Sequence, residues 1–263
     1  MIPEAYILAW AKNAPWPTMA QIEQDLVIEK ALIELFSNPI LQENLAFRGG
    51  TTLHKLFLKP QVRYSEDIDL VQIKPGPIKP LLIEIQKAMS FIGQKRNFKQ
   101  NANMNTVYYR FHTEIQPVIR SRLKLEINTR EHFSVFGFKK VKHTHQSPWF
   151  SGEVELATYE IEELLGTKLR ALYQRSKGRD LFDLSYALQM LQPDVDKIIA
   201  AYKVYMKHDG GRAKTARELM LNLGEKMKDS NFYGDVKGIL RPGIKFDHQD
   251  AYELVKTKLI KKI

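Results

Sequence analysis

The sequence contains no cysteine. That excludes a disulfide-stapled scaffold, a thiolate nucleophile and any Cys-ligated zinc or iron–sulfur centre, and it fits a reducing compartment. No apolar run approaches the roughly 18 residues a membrane helix needs, so no membrane span is expected. The first residues, MIPEAYILAWAKNAPWP, hold an acid at Glu4 and no basic cluster. No secretory leader is therefore expected, and a cytoplasmic location is. Acids are in deficit too: 30 Asp+Glu stand against 40 Lys+Arg, a net charge of +10. A surplus of that size favours a polyanionic partner, of which nucleic acid is the commonest. What is abundant is ordinary: 263 residues, 44% hydrophobic, enough for one or two domains with a real core.

Along the chain, Ile22, Leu26, Ile28, Leu32, Ile33 and Leu35 recur at helical spacing, and Asn38-Pro39 stops the run. Leu45-Ala46-Phe47 reads as a strand entering a turn at Gly49-Gly50. Thr51 or Thr52 is expected to cap a helix over Leu53–Leu58, which Lys59-Pro60 ends. Asp67–Ile73 alternates as a strand, and Leu81–Ile92 is an amphipathic helix. Thr106–Ile115 and Arg122–Asn128 alternate as strands, with Phe133–Lys142 a further candidate. After about Ala157 the pattern is almost wholly helical, with turns at Gly178, Pro193, Gly210-Gly211 and Pro242-Gly243. The fold class expected is α+β: a mixed half with a small sheet, then a mainly helical half.

The most informative segments are Phe47-Arg48-Gly49-Gly50-Thr51-Thr52-Leu53 and Arg63-Tyr64-Ser65-Glu66-Asp67-Ile68-Asp69-Leu70. On a strand, Asp67 and Asp69 project from one face, about 7 Å apart. Such a pair repels unless a cation stands between its members, and Mg²⁺ suits hard carboxylate oxygens and phosphate together. The glycine pair lets backbone approach a ligand, and a helix start can hold phosphate. Glu126 shares the polar face of its strand with Lys124 and Asn128. If that strand lies near the Asp67 strand, three carboxylates cluster, as metal-assisted phosphoryl displacement requires.

In the second half, Ile161, Leu165 and Leu172 make an apolar helical stripe with Lys168 inside it. A buried unpaired ammonium is costly. Lys168 therefore either extends its head to solvent or directs its charge to a nucleotide phosphate. Asp180 falls in the first turn of the next helix, where an acid suits the dipole. Asp183 lies on that helix's flank. A structural ion pair between these helix ends is the other reading.

Together these motifs resemble the AbiEii/MenT-like family of nucleotidyltransferase toxins, within the DNA polymerase β-like nucleotidyltransferase superfamily. The matching residues are Phe47–Thr51, Ser65–Leu70, Leu165–Leu172 and Lys177–Leu184, and the resemblance covers roughly residues 20–190. It implies a nucleotidyltransferase core over residues 1–156 and a helical domain over residues 157–263 that closes the active-site cleft. It implies Mg²⁺ at Asp67 and Asp69, and triphosphate held at Gly49, Gly50 and Thr51. It further implies Lys168 on phosphate, and Asp180, ahead of Asp183, as an aspartate needed for activity. Ser65 corresponds to a serine that is nucleotidylated or phosphorylated in some members. The superfamily's Gly-Ser is Gly-Thr here, and the loop from Gly50 to Asp67 is longer than its pattern. The activity implied is transfer of a nucleoside monophosphate from an NTP, with an RNA acceptor such as the tRNA 3′ end. A bacterial toxin–antitoxin or phage-defence setting, with a cognate antitoxin protein, comes with it.

In the expected reaction, Asp67 and Asp69 hold metal, and Glu126 is third ligand or base. Lys168 and Arg170 stabilise the leaving pyrophosphate. Two basic groups with aromatics are candidates for RNA: Lys95, Arg96, Lys99, Tyr108, Tyr109 and Arg110, and Lys139, Lys140, Lys142 and His143 near Trp149 and Phe150. The alternatives are transfer to a small-molecule or protein hydroxyl, a kinase-like use of the site, or a non-catalytic binding module. The intact Asp-x-Asp speaks against the last.

Overall fold

The computed structural model describes residues 2–93, 96–101 and 104–263. It divides into two units, residues 1–159 and 160–263. The first begins with α1 (Glu4–Trp10) and the long α2 (Met19–Ser37). Thr18 starts α2 with a reciprocal capping box to Gln21, and Asn38 ends it in an extended conformation. The Asn38 side chain then caps α3 (Pro39–Asn44), whose proline occupies a position where a missing N–H costs nothing. α2 is buried on nearly every side, so Leu26, Val27, Ile28, Ala31, Leu32 and Leu35 are core together with the acids Asp25 and Glu29. Despite its 19 residues, α2 carries too many charges for a bilayer, and no described helix is long and apolar enough to cross a membrane.

β1 (Leu45–Arg48) runs directly into α4 (Gly49–Thr52), which continues as a π-helical turn over Leu53–Phe57. The helix therefore begins at the glycines, and Thr51 and Thr52 lie inside it; neither is the cap the sequence suggests. Lys55, on the π-helical turn, reaches back to Asp25 (2.9 Å) and Glu29 (2.7 Å) of α2, and Glu29 also meets His143 Nε2 at 2.7 Å. Burial opposes the Lys55 charge, but the two carboxylates outweigh it and hold its pKa above the ordinary lysine value. This buried network fixes the glycine turn against α2.

β2 (Asp67–Gln72) follows, then α5 (Lys79–Ala88), with a 3₁₀ turn over Met89–Ile92 completing the expected amphipathic helix. β3 (Arg96–Gln100), β4 (Met104–His112) and β5 (Arg120–Asn128) complete a five-stranded sheet of order β1-β2-β5-β4-β3. Among the described residues only the β2–β5 pair is parallel. Its inner face, with Phe47, Ile68, Leu70, Val107, Leu123, Leu125 and Ile127, is buried, and α2 packs on β5. The strand expected over Phe133–Lys142 forms further on, as β6 (Lys139–Gln146), and pairs with β7 (Ser151–Thr158), which the sequence reading did not anticipate. Thr158 ties this hairpin to β1 by donating from its hydroxyl to the Phe47 carbonyl at 2.7 Å.

The second unit is helical: α6 (Ile161–Gln174), α7 (Gly178–Met190), α8 (Val195–His208), α9 (Ala216–Lys226), α10 (Ser230–Gly234) and α11 (His248–Lys258). α6 packs on α7 and α8, and α7 on α11. The α6–α8 approach is close at Gly166, where a Cβ would lie 2.7 Å from Ala201 Cβ and 2.9 Å from the Ile198 carbonyl oxygen. The apolar stripe of α6 continues through Leu165, Leu169 and Leu172, all buried, and α7 buries Leu181, Leu184 and Leu188.

Candidate active site

Two adjacent strands assemble the candidate site in the first unit. Asp69 of β2 is paired in register with Glu126 of β5, and Asp67 with Lys124. Paired residues share a sheet face, so all four side chains emerge together, opposite the buried Ile68, Leu70, Leu125 and Ile127. Lys124 stands among the acids, 2.7 Å from Asp67 Oδ2 and 3.2 Å from Glu126 Oε2. The side chains of Asp67, Lys124 and Glu126 are 25%, 22% and 29% exposed, so each keeps access to a ligand. Arg48, opposite Asp69 on the other side, is ion-paired to Glu131.

Burial pushes the Asp67 carboxyl up to about 6, with Asp69 and Glu66 adding like-charge repulsion and Lys124 opposing them. Lys124 itself is raised: its burial favours the neutral form, but Asp67 and Glu126 outweigh that. An all-oxygen donor set of three acids, in which the Asp67 carboxyl is held reluctant to ionise and Lys124 pairs with Asp67 and Glu126, has the chemistry a hard divalent cation takes. Because Asp67 binds its proton more tightly folded than unfolded, its stabilising contribution is complete below about pH 4 and is lost as pH rises through about 6. The same proton competes with a cation.

Gly49 opens the turn beside this cluster with φ +84°, and a Cβ there would lie 2.0 Å from Asp69 Oδ2. Glycine is thus required twice, by the left-handed backbone and by contact with the acid. Gly49→Ala is expected to cost about 1–3 kcal/mol in chemical denaturation. By displacing the Asp69 carboxylate, it should also cost ~100-fold in the rate of any reaction at this site. Gly50 is the second residue of α4. The Thr51 side chain is buried; its hydroxyl donates to the Asp67 main-chain oxygen and lies 2.7 Å from Ser65 Oγ. A hydroxyl has one proton, so Ser65 is the donor to Thr51, and the lone pairs of Ser65 stay available. Thr51 thereby locks the glycine turn onto the start of β2.

In the second unit, Lys168 neither reaches solvent nor stands unpaired. Its ammonium is buried, 2.9 Å from Asp180 and 2.8 Å from Asp183, both fully buried. Arg175 adds a second cation to Asp180 at 2.8 Å. Burial opposes the Asp180 charge, but Lys168 and Arg175 outweigh it and hold its pKa below the usual carboxylate value. Asp180 therefore does not serve as a helix cap; it links α6 to α7. Arg170 pairs with Asp209 at 3.0 Å and lies over the Tyr205 ring.

The two basic groups fare differently. Lys95 lies outside the described residues. Arg96, Lys99 and Arg110 are exposed and Tyr108 half-buried, whereas Tyr109 points into the core. In the other group Lys140 and Lys142 are ion-paired across the hairpin to Glu155 and Glu153, and His143 is buried on Glu29. Trp149 and Phe150 already hold the Lys30 ammonium. Lys139 lies over the Phe57 ring, so on this hairpin each of the four basic residues named has a partner within the protein. Lys124, which sequence reasoning did not assign to the site, is central to it. Its alternation with Glu126 was the available signal, but only the parallel β2–β5 register shows that the two strands meet.

The sheet order, the paired acids and the glycine turn define a nucleotidyltransferase-type fold. Among solved structures, the chain is similar to the nucleotidyltransferase toxin MenT4 from Mycobacterium tuberculosis at 15% identity, covering 100% of this chain and 91% of that one with a TM-score of 0.70. It is also similar to JHP933 from Helicobacter pylori, at 20% identity over 93% of each chain with a TM-score of 0.54. No curated protein matches it significantly. The model of the nucleotidyl transferase AbiEii toxin family, of type IV toxin–antitoxin systems, matches residues 30–256, and the chain belongs to that family. The match runs through the C-terminal helices as well as the four motifs. The protein is accordingly a nucleotidyltransferase.

Proposed function

We propose that the protein transfers a nucleoside monophosphate from an NTP to an RNA acceptor, the tRNA 3′ end in the first instance, in a Mg²⁺-dependent reaction. The observation that carries this reading is the set of Asp67, Asp69 and Glu126 on one accessible sheet face beside the Gly49 turn. Asp67 and Asp69 would hold the metal, with Glu126 completing the set. Bound there, Mg²⁺ supplies Lewis-acid polarisation of phosphoryl oxygens.

The chain's own residues position the reactants. Gly49 and Gly50 let the triphosphate approach the backbone, with Thr51 fixing the turn and Ser65 offering its oxygen beside it. The acceptor hydroxyl oxygen forms a bond to the α-phosphorus as the bond to the bridging oxygen breaks. Pyrophosphate leaves with that electron pair, and Glu126 takes the hydroxyl proton. The net charge of +10 favours a polyanionic acceptor. A cytoplasmic toxin of a toxin–antitoxin or phage-defence pair, restrained by a cognate antitoxin, fits the family.

The test is incubation with each α-labelled NTP, bacterial RNA and Mg²⁺, resolved on a denaturing gel. Label in a tRNA-sized band that is lost with Asp69→Ala is expected. Mg²⁺-dependent NTP binding without labelled RNA would instead assign the transfer to a small-molecule or protein hydroxyl.

A further inference from the structure

The sheet face that carries the three acids continues past them along β4 and β5. Register sets Thr106 opposite Glu126, Tyr108 opposite Lys124, Arg110 opposite Arg122 and His112 opposite Arg120. Alternation places all of these on the carboxylate face, because the intervening Val107, Tyr109, Phe111, Leu123 and Leu125 are buried on the other. Arg110, His112, Arg120 and Arg122 are exposed. They border an open groove of about 690 Å³.

Several exposed lysines of this unit are neutralised, as Lys74 by Glu43, Lys87 by Glu84 and Lys142 by Glu153. Among the described residues, no carboxylate pairs with Arg110, Arg120 or Arg122. Arg122 lies 5.3 Å from the centre of the half-buried Tyr108 ring. Along β5, cations recur at every second residue from Arg120 through Arg122 to Lys124, about 7 Å apart, and the ladder reaches Glu126 after ~20 Å.

We propose that this β4–β5 ladder is the track on which the single-stranded 3′ segment of the RNA acceptor lies. Arg120 and then the cross-strand pair Arg110 and Arg122 hold successive phosphates, Tyr108 stacks a base, and the terminal ribose hydroxyl arrives at Asp67, Asp69 and Glu126. The strand runs 5′ to 3′ from Arg120 toward Glu126. Guanidinium forks suit phosphate, and an aromatic face suits any unpaired base. A single-stranded polyanion is favoured over a membrane or an acidic protein because the cationic row is at most two strands wide and ends at the reacting carboxylates. The proposal rests on the RNA-acceptor reading above and adds where the acceptor binds and in which direction.

The test uses the full chain and a fluorescent RNA hairpin bearing a short single-stranded 3′ overhang, with the same hairpin blunt-ended as reference. Arg120→Ala/Arg122→Ala is compared with Lys74→Ala/Lys87→Ala, which removes equal charge from paired positions. These exposed substitutions should leave the midpoint of thermal unfolding unchanged. Overhang binding is expected to weaken at least ~10-fold in the arginine variant, with the slope of log affinity against log salt reduced by about 1.4, two single-strand phosphate contacts. The lysine variant should match wild type. Equal binding by both variants, or an equal loss on the blunt hairpin, would overturn the track while leaving the acceptor reading intact. Stabilisation by Mg²⁺ and NTP without wild-type binding of RNA would overturn the acceptor reading and the track with it.

Discussion

Asp67→Asn is expected to lower nucleotidyl transfer by roughly 100–1000-fold or more while leaving the metal-free protein at least as stable as wild type. The two effects have one cause. Asp67 is pushed up to about 6 by burial and by its acidic neighbours, so at neutral pH its charge opposes folding. An amide of the same shape removes that opposition. The shift corresponds to about 1–3 kcal/mol in favour of the variant. Lys124 keeps its contact with Glu126, so no buried ammonium is left unpaired. The measurement is thermal unfolding of both proteins with and without Mg²⁺ and NTP. Wild type should rise in Tm with ligand, and Asp67→Asn should start level or higher and gain little. A variant markedly less stable than wild type without metal would refute the reading of Asp67 as a charge held for a cation.

Lys168→Ala is expected to be among the most destabilising single substitutions in the second unit, by about 3–5 kcal/mol. Its ammonium is shared between two fully buried carboxylates, and Asp180 also meets Arg175. Removing Lys168 takes away the ammonium that stands 2.8 Å from the fully buried Asp183 carboxylate. Loss of activity in this variant would therefore not by itself identify a phosphate contact. The double variant Lys168→Met/Asp183→Asn separates the roles: it removes the cation and the acid it chiefly serves, while Asp180 keeps Arg175. At least half of the lost stability should return in denaturant unfolding. Activity that stays absent in this refolded variant assigns Lys168 to the nucleotide; activity that returns assigns it to the fold alone.

Much of this organisation was legible in the residues themselves. The α2 helix, the strand over Asp67–Gln72, the strands around Thr106 and Glu126 and the helical second half follow from periodicity, and Asn38-Pro39 and Gly178 mark their breaks. Elements with weak alternation were missed or displaced. β3 is exposed along its whole length, and β7 alternates between a polar outer face and a short buried one, so neither presents a clear pattern. The hairpin lysines read as a basic surface because their cross-strand partners Glu153 and Glu155 are distant enough in sequence to escape notice.

The sequence by itself determined which residue types could meet a nucleotide: two acids at period two, a glycine turn before them, a third acid on another polar strand face. Alternation is local, so the chain encodes it residue by residue. Only the tertiary structure decided that the third acid lies beside the second, that Lys124 stands among the three, and that Lys168 is bound between Asp180 and Asp183. Strand order and helix packing are set by how apolar faces are buried against one another across long stretches of chain. The charges that end up as neighbours are a consequence of that burial, and no local pattern records them.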